Sequence, residues 1–312
     1  MPFNLKGRHF LSMKDNTPEE IDFLLQLSIK LKQDKYAGLR GSNLAGKNIA
    51  LIFEKPSTRT RCAFVVACVD EGAHPEYLGK DDIQLGKKET VKDTARVLGR
   101  MFDGIQFRGF KQEMVEALAR HSGVPVYNGL TDLYHPTQIL ADLMTVQEAC
   151  GALKGVKLCF VGDGRNNVAR SLLIGCSKMG VDYTVVAPRS LQPEEETVKQ
   201  CREWARGSDC TLSFTDQVGE GVKGADVVYT DVWVSMGEEA KSKERVQLLK
   251  PYQVNEALMA QTGKRETIFL HCLPAVKGNE VSVGVIEGPS SRVWDEAENR
   301  KHTIKAIMLA TI

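Results

Sequence analysis

The sequence lacks a strong net charge and a long apolar run, and each absence excludes a class of protein. Its 41 basic and 40 acidic residues nearly cancel, which gives a formal net charge of +1. Neither nucleic acid nor an anionic membrane surface is therefore an expected partner. No apolar run approaches the roughly 18 residues that a membrane span needs, and no signal-like apolar stretch opens the chain.

The sequence also lacks paired cysteines, because its eight cysteines are scattered without a CxxC motif. Such spacing is typical of thiols in a reducing compartment, so the predicted location is the cytoplasm. No group of cysteines and histidines has zinc-ligand spacing, and a metal site is not expected. Cys62, Cys68, Cys150, Cys159 and Cys176 lie inside helix or strand patterns and are predicted to be core residues.

What the sequence does contain is an alternation of short apolar runs and helical stretches. Thr17-Pro18-Glu19-Glu20 has the residues of a capping box and predicts a helix start. The run 49–53 is apolar throughout, as in a strand buried on both faces. Further strands are predicted at 104–107, 125–127, 157–161, 183–187, 211–214, 226–229 and 267–270. The alternation predicts an α/β fold with mostly parallel sheets.

The length of 312 residues and the number of strands indicate two domains, each a mostly parallel sheet flanked by helices. The helical segment 137–150 and the glycine-containing stretch after it mark the predicted boundary. The first domain is therefore expected at 1–150 and the second at 151–292. A last helix, within 293–312, is expected to pack back on the first domain.

Unusual residues follow the predicted strands, where open α/β sheets bind their ligands. Six strand ends carry polar or reactive side chains, and this coincidence weighs more than any single motif. These residues are Ser57 to Arg61, Arg108, His135 to Gln138, Gly162 to Asn167, Asp231 with Ser235 to Gly237, and His271 to Pro274.

The run Ser57-Thr58-Arg59-Thr60-Arg61 combines hydroxyl and guanidinium groups at a predicted helix start. Helix N-termini bind phosphate through unpaired N–H groups and the helix dipole. Arg59 would add a charge-assisted clamp. A capped helix with solvated arginines is the structural alternative, and the density of donors after a buried strand favours an anion site.

Three other strand ends leave more room for alternatives. His135 and Gln138 are spaced to reach one ligand from a helix start, although a lone histidine is more often structural. Gly162-Asp163-Gly164 resembles part of a dinucleotide motif, but Asn167 stands where the third glycine belongs. Cys272 is either an inert thiol or, with arginines nearby, a reactive one.

Together these motifs resemble the aspartate/ornithine carbamoyltransferase family, over nearly the whole chain. The motifs that carry the resemblance are Phe53 to Arg61, Lys92 to Met101, His135 to Gln138, Asp231 to Gly237, His271 to Pro274 and Ala297 to Arg300. Ser-Met-Gly at 235–237 with His-Cys-Leu-Pro at 271–274 is similar to the ornithine branch of the family.

The resemblance implies transfer of a carbamoyl group from carbamoyl phosphate to the side-chain amine of L-ornithine, in either direction, without metal or organic cofactor. It also implies a homotrimer, or a multiple of trimers, in which Gln84 reaches a neighbouring subunit's site. The implied carbamoyl phosphate residues are Ser57, Thr58, Arg59, Thr60, Gln84, Arg108, His135, Gln138, Cys272, Leu273 and Arg300. The implied ornithine residues are Asn167, Asp231, Ser235 and Met236, and the implied catalytic residues are Arg108, His135, Asp231 and Cys272.

Alternative functions differ from this expectation at identifiable residues. An aspartate carbamoyltransferase needs extra cations, which Arg245-Val246-Gln247 only faintly suggests. Putrescine or another amine is a near alternative substrate. A non-catalytic carbamoyl phosphate-binding protein would lack Arg59, His135 or Cys272, and a dinucleotide oxidoreductase would need the missing glycine. The segment between Ala275 and Glu280 is expected to be shorter than in relatives.

Overall fold

The computed structural model describes residues 4–83, 85, 88–234 and 242–312. Its contacts divide the chain into two units. The first unit comprises Met1–Met144 with Glu298–Ile312, and the second comprises Thr145–Ala297. The boundary falls inside one long helix. The last residues of the chain return to the first unit, as predicted for the C-terminal helix.

The first unit is built on a parallel sheet whose strand order is β2-β1-β3-β4. Its strands are β1 (Asn48–Phe53), β2 (His74–Gly79), β3 (Gly104–Arg108) and β4 (Val126–Leu130). Its helices are α1 (Pro18–Tyr36), α2 (Thr58–Asp70), α3 (Val91–Met101) and α4 (Gln112–Ser122), followed by α5 (Pro136–Cys150). Apolar residues of β1 and β3, such as Ile52 and Phe107, form a core cluster with Leu98 of α3 and Val115 of α4.

Local sequence explains several of these elements. Thr17 caps α1 in a capping box with Glu20, as predicted. Strand β2 was not predicted because its residues, His-Pro-Glu-Tyr-Leu-Gly, lack an apolar run. It lies at the sheet edge, where one neighbour suffices and a proline is tolerated.

The second unit contains a parallel sheet of order β7-β6-β5-β8-β9. Its strands are β5 (Lys157–Val161), β6 (Asp182–Val186), β7 (Leu212–Thr215), β8 (Val227–Tyr229) and β9 (Ile268–Leu270). Its helices are α6 (Asn167–Met179), α7 (Glu195–Ser208), α8 (Val218–Val222), α9 (Ser242–Leu249), α10 (Glu256–Ala260) and α11 (Val283–Ile286). The last helix, α12 (Val293–Thr311), ends in the first unit. The predicted fold class is confirmed.

The cysteine predictions are only partly right. Cys68, Cys159 and Cys176 are buried as predicted, but Cys62 and Cys150 are exposed. Both lie on helices, where position in a helical pattern does not by itself fix which face is buried. Within the described ranges, no helix combines the length and the apolar character that crossing a bilayer requires.

Candidate active site

The carboxyl ends of β1, β3 and β4 lie side by side in the first unit, because these strands are neighbours in the sheet. After β1, Ser57 caps α2 by accepting a hydrogen bond from the Thr60 N–H at 3.2 Å. The cap orients the first turn of α2, so that Thr58 and Arg59 occupy a helix N-terminus. Such a turn presents backbone donors and a positive dipole end.

Two guanidinium groups meet at the Thr60 hydroxyl. Arg108, at the end of β3, donates from Nη1 to Thr60 Oγ1 at 3.3 Å. Arg300, from α12, donates from Nη2 to the same oxygen at 3.0 Å. All three residues are buried. Because the hydroxyl oxygen accepts both bonds, its own hydrogen stays available to donate to a further group.

Gln138 connects this cluster to a buried carboxylate. Arg300 donates from Nη1 to Gln138 Oε1 at 2.8 Å, and Gln138 donates from Nε2 to Asp142 Oδ1 at 2.8 Å. Gln138 and Asp142 stand one turn apart on α5 and are both buried. Asp142 therefore fixes the orientation of the Gln138 amide. The sequence analysis missed Asp142, although the spacing of four residues from Gln138 could have revealed it.

His135 is buried beside the arginines, and its pKa is held well below the usual 6.5. Burial is the main cause, and repulsion from Arg300, Arg108 and Arg59 lowers the pKa further. The imidazole is therefore neutral at neutral pH, and it combines one N–H donor with one acceptor nitrogen. A neutral ring in a cationic pocket suits a role as hydrogen-bond donor better than a role as proton carrier.

Lys55 was also missed by the sequence analysis, although it stands inside the motif that precedes α2. Its side chain is 9% exposed, and Nζ donates to Asp132 Oδ1 at 2.9 Å. The same ammonium lies 4.0 Å from the centre of the Phe110 ring. Lys55 thus ties together the loops that follow β1, β3 and β4, which carry the cationic cluster.

The second unit brings a carboxylate and a thiol together at the ends of the neighbouring strands β8 and β9. The Cys272 thiol donates to Asp231 Oδ1 at 3.1 Å. The Val232 N–H donates to the same oxygen at 2.8 Å, and Asn166 Nδ2 donates to Asp231 Oδ2 at 3.2 Å. Asn166 caps α6 through its Oδ1, which accepts from the Ala169 N–H at 2.7 Å. Asn166 therefore orients Asp231, a role that the sequence analysis missed.

Burial raises the pKa of Asp231 above the usual value for a carboxyl. The hydrogen bonds from Cys272 and Val232 oppose this effect, whereas the nearby Glu280 adds to it. A buried carboxylate of this kind gains most from a bound cation, such as a substrate ammonium group. This end of the sheet is thus suited to an amine, in contrast to the cationic end in the first unit.

Asp163, at the end of β5, holds Arg245 of α9 in an ion pair. Asp163 Oδ1 also accepts a hydrogen bond from the Arg165 N–H at 3.0 Å. The pairing bears on the aspartate alternative, because a dicarboxylate would need Arg245 as a free cation. Its charge is compensated by Asp163 instead.

Asp231, His271 and Cys272 present possible metal ligands within 4.8 Å of one another. Sequence spacing did not reveal this group, because its members come from two different strands. The imidazole, however, accepts the Leu273 N–H at Nδ1, at 2.8 Å, and its Nε2 lies 3.4 Å from Glu280. Nδ1 therefore already accepts a hydrogen bond, so only Nε2, which faces the Glu280 carboxylate, is left as a possible ligand atom of His271.

The structure brings together most of the predicted residues in two groups, one in each unit. The first group contains Ser57, Thr58, Arg59, Thr60, Arg108, His135, Gln138 and Arg300. The second contains Asn167, which opens α6, with Asp231, Cys272 and Leu273. Gln84, Ser235 and Met236 lie outside the described residues.

Comparisons with known proteins match both units to one family. Residues 8–148 match the family model "Aspartate/ornithine carbamoyltransferase, carbamoyl-P binding domain". Residues 154–311 match the model of the Asp/Orn binding domain. The chain belongs to the aspartate/ornithine carbamoyltransferase family, and the resemblance inferred from its motifs is confirmed.

Similar proteins from the ornithine branch cover the whole chain. The ornithine carbamoyltransferase of Caldanaerobacter subterraneus is 61% identical over 312 residues, which is 100% of both chains. The catabolic enzyme of Bacillus licheniformis is 59% identical over 326 residues, covering 99% of this chain and 97% of the relative. The solved ornithine carbamoyltransferase of Pyrococcus furiosus has a TM-score of 0.96 at 45% identity, covering 99% and 98% of the two chains.

The lengths of the relatives bear on one expectation from the sequence. A longer segment was expected in relatives between the positions of Ala275 and Glu280. The Caldanaerobacter protein aligns over 312 residues and 100% of both chains, so it has no room for such a segment. The segment is therefore not shorter than in this relative, whereas the alignment with the Bacillus licheniformis enzyme spans 326 positions for 99% of this chain, so that relative has additional residues.

Proposed function

We propose that this chain catalyses carbamoyl transfer from carbamoyl phosphate to the δ-amine of L-ornithine, giving L-citrulline and phosphate. The observation that carries the proposal is the buried junction at Thr60, where Arg108 and Arg300 donate to one hydroxyl. A site of this kind concentrates positive charge around a donor that can reach a carbonyl oxygen. The names of the full-length relatives support the same reaction.

The phosphate group is bound by the N-terminus of α2 and by the arginines around it. Ser57, Thr58 and Arg59 offer hydroxyl, backbone and guanidinium donors from one turn. Arg108 and Arg300 add two buried cations, for which a phosphate dianion provides compensating charge. The leaving phosphate is stabilised by the same groups as its negative charge grows.

The carbamoyl carbonyl is polarised by Thr60, His135 and Gln138. Negative charge develops on this oxygen as the amine attacks, and donors fixed in advance stabilise it. Thr60 has its hydroxyl hydrogen to offer, and the neutral His135 ring has one N–H. The backbone carbonyls of Cys272 and Leu273 accept hydrogen bonds from the carbamoyl NH2 group.

The nucleophile is the neutral δ-amine, which in water is almost wholly protonated at neutral pH. Asp231 and Cys272 bind this amine, and the Asp231 carboxylate receives its proton. Their hydrogen bond of 3.1 Å places a carboxylate with a raised pKa next to a thiol, so that a proton can pass between substrate and protein. Asn167, Ser235 and the backbone of Met236 hold the α-carboxylate and α-amine.

One assay separates this proposal from its alternatives. Citrulline formation is measured colorimetrically with ornithine, alongside carbamoylation of aspartate and putrescine under the same conditions. Ornithine is expected to be the preferred acceptor, because the second unit offers Asp231 to an amine and compensates Arg245 with Asp163. Preference for aspartate, or the absence of any carbamoylated product, would contradict the proposal.

The active assembly is a homotrimer or a multiple of trimers, in which Gln84 of one subunit completes the site of a neighbour. Val97 and Met101, one turn apart on α3, are exposed apolar side chains and suit a subunit contact. The test mixes two variants impaired in carbamoyl phosphate binding, Gln84→Ala and Arg59→Ala, after subunit exchange. Recovered activity supports a shared site, whereas its absence in proven hybrids contradicts one.

The proposed location is the cytoplasm, since all eight cysteines are thiols and a reducing compartment suits them. The reaction can run in either direction, toward citrulline or toward carbamoyl phosphate. Arsenolysis of citrulline, compared with citrulline synthesis at saturating substrates, measures both directions on the same enzyme.

A further inference from the structure

The turn that follows β9 holds an unusual backbone conformation next to the proposed amine site. Leu273 has φ = +58°, in the left-handed region that a residue with a Cβ rarely adopts. Such a conformation persists only where surrounding contacts impose it. The contact here is a hydrogen bond from the Leu273 N–H to Nδ1 of His271, at 2.8 Å.

This hydrogen bond fixes the chemical form of the His271 ring. A nitrogen that accepts an N–H carries no proton, so the neutral ring has its hydrogen on Nε2. Nε2 lies 3.4 Å from Glu280 Oε1, and the two side chains are 0% and 1% exposed. A proton on Nδ1 would break the bond to Leu273, so His271 cannot carry a proton there without releasing the turn.

Both ends of this arrangement are anchored in the second unit. The Glu280 carboxylate also accepts the Val276 N–H, so its position is set by the loop that follows the turn. The backbone N–H of His271 donates to Glu296 Oε2 at 2.9 Å, and Glu296 Oε1 accepts from the Tyr229 hydroxyl at 3.1 Å. Tyr229 ends β8, immediately before Thr230 and Asp231, so the two strand ends that carry the site are linked.

We propose that His271 is a positioning residue for carbamoyl transfer, holding Leu273 in its left-handed turn so that the Cys272 thiol stays bonded to Asp231. The buried Glu280 carboxylate faces Nε2 of the ring at 3.4 Å, which is an electrostatic contact. The proposal rests on the proposed function, because it assigns His271 to the geometry of that reaction. The ring touches neither substrate nor reacting atoms and acts only through the turn.

Two substitutions separate the hydrogen bond from the volume of the ring. In His271→Asn, the side-chain oxygen can accept from the N–H two residues on, as in an Asx turn, and restores the bond to Leu273. In His271→Leu, a side chain of similar size has no acceptor. Thr267→Val is the control, because it removes a different buried hydrogen bond, from Thr267 to Ala225, near the opposite end of β9.

The kinetic expectation is a loss in His271→Leu that His271→Asn largely restores. The ring acts only through the Cys272–Asp231 hydrogen bond, so His271→Leu should lower kcat for citrulline a few-fold and kcat/KM for ornithine about tenfold, the loss expected for Cys272→Ala. The KM for ornithine should rise with it, while phosphate binding stays at the wild-type value. Thr267→Val should lower the melting temperature without this kinetic change. Equal losses in the Asn and Leu variants, or a wild-type kcat in the Leu variant, would overturn the proposal.

A second measurement decides the matter even where His271→Leu does not fold. Imidazole ¹⁵N shifts of the wild-type enzyme labelled at histidine report the tautomer, with His271→Asn used for assignment. The expected signal is a protonated Nε2 and an unprotonated Nδ1, and the opposite tautomer would refute the role of Nδ1. Wild-type citrulline formation is measured beside it, and its absence would count against the proposed function alone.

Discussion

The two units bind opposite charges with differently built sites. In the first unit, the guanidinium groups of Arg108 and Arg300 are gathered at the Thr60 hydroxyl, and repulsion from arginines helps to lower the pKa of His135. In the second, burial raises the pKa of Asp231, which pairs with a thiol. The buried cations of the first site favour an anion, and the buried carboxylate of the second favours an amine.

The difference also concerns how each site is supported. The anion site depends on a helix N-terminus and on side chains that hydrogen bond to one another from α2, β3, α5 and α12. The amine site depends on a few contacts between strand ends, including Asn166 with Asp231. A substitution in one site should therefore change the kinetics with the substrate of that site more than with the other substrate. The following predictions test that separation.

The largest effect is expected for Thr60→Val, which keeps the shape of the side chain but removes the hydroxyl. Two buried guanidinium groups lose an acceptor, and the carbonyl loses a donor. Losing one such donor costs about 3–4 kcal/mol in the barrier, so kcat should fall about 100- to 1,000-fold. Thr60→Ser, which retains the hydroxyl, is the control, and similar steady-state kinetics for the Val and Ser variants would contradict the assignment.

Arg59→Ala should raise the KM for carbamoyl phosphate about 100-fold, because a hydrogen bond to a charged group is worth about 1.5–3 kcal/mol and a guanidinium group can donate two to a phosphate. The KM for ornithine should stay within a few-fold. Arg61→Ala is a matched control two residues away, since its exposed guanidinium lies 3.9 Å from the centre of the Tyr77 ring. Equal effects of the two substitutions would show that the clamp is misplaced.

Cys272→Ala should raise the KM for ornithine about tenfold, because Asp231 loses the thiol hydrogen bond and substrate cations are held less well. Cys272→Ser, which can still donate to Asp231, should have a smaller effect. Initial rates at several ornithine concentrations and pH values test both variants. An unchanged ornithine KM and pH profile in Cys272→Ala would remove Cys272 from the site.

The smallest expected effect is on stability at acidic pH. Burial lowers the pKa of His135, and it lowers that of His302 to about 4. Below about pH 6.5, these two histidines become protonated in the unfolded chain but stay neutral in the folded chain. The free energy of unfolding is therefore undiminished by these histidines above that pH. It declines as the pH falls, by up to about 1.4 kcal/mol per pH unit for each histidine.

Urea unfolding of His135→Gln and His302→Gln at several pH values between about 5 and 7 measures this decline. Each variant should lose stability less steeply than the wild type. The raised pKa of Asp231 has the opposite sign, because its stabilisation is present at low pH and lost as the pH rises. A wild-type slope in both histidine variants would show that neither pKa is lowered.

The fold and the anion site could be predicted further from the sequence than the amine site. Buried parallel strands produce apolar runs, and the proposed phosphate-binding turn is contiguous in the chain, so both leave local patterns. The contact of Asn166 with Asp231 joins residues that are 65 positions apart in the sequence. The contact of His271 with Glu280 depends on the orientation of the imidazole ring, which no local sequence pattern shows. The edge strand β2 was missed for a similar reason, because its partner, not its composition, makes it a strand.

The separation of the two sites can be measured most directly by calorimetric titration of inorganic phosphate. Phosphate carries neither the amine nor the carbamoyl group and engages only the cationic cluster of the first unit. Arg59→Ala is expected to weaken phosphate binding at least about tenfold, whereas Cys272→Ala should bind phosphate as the wild type does. An equal loss in both variants, or a greater loss in Cys272→Ala, would contradict the assignment of anion and amine to separate units.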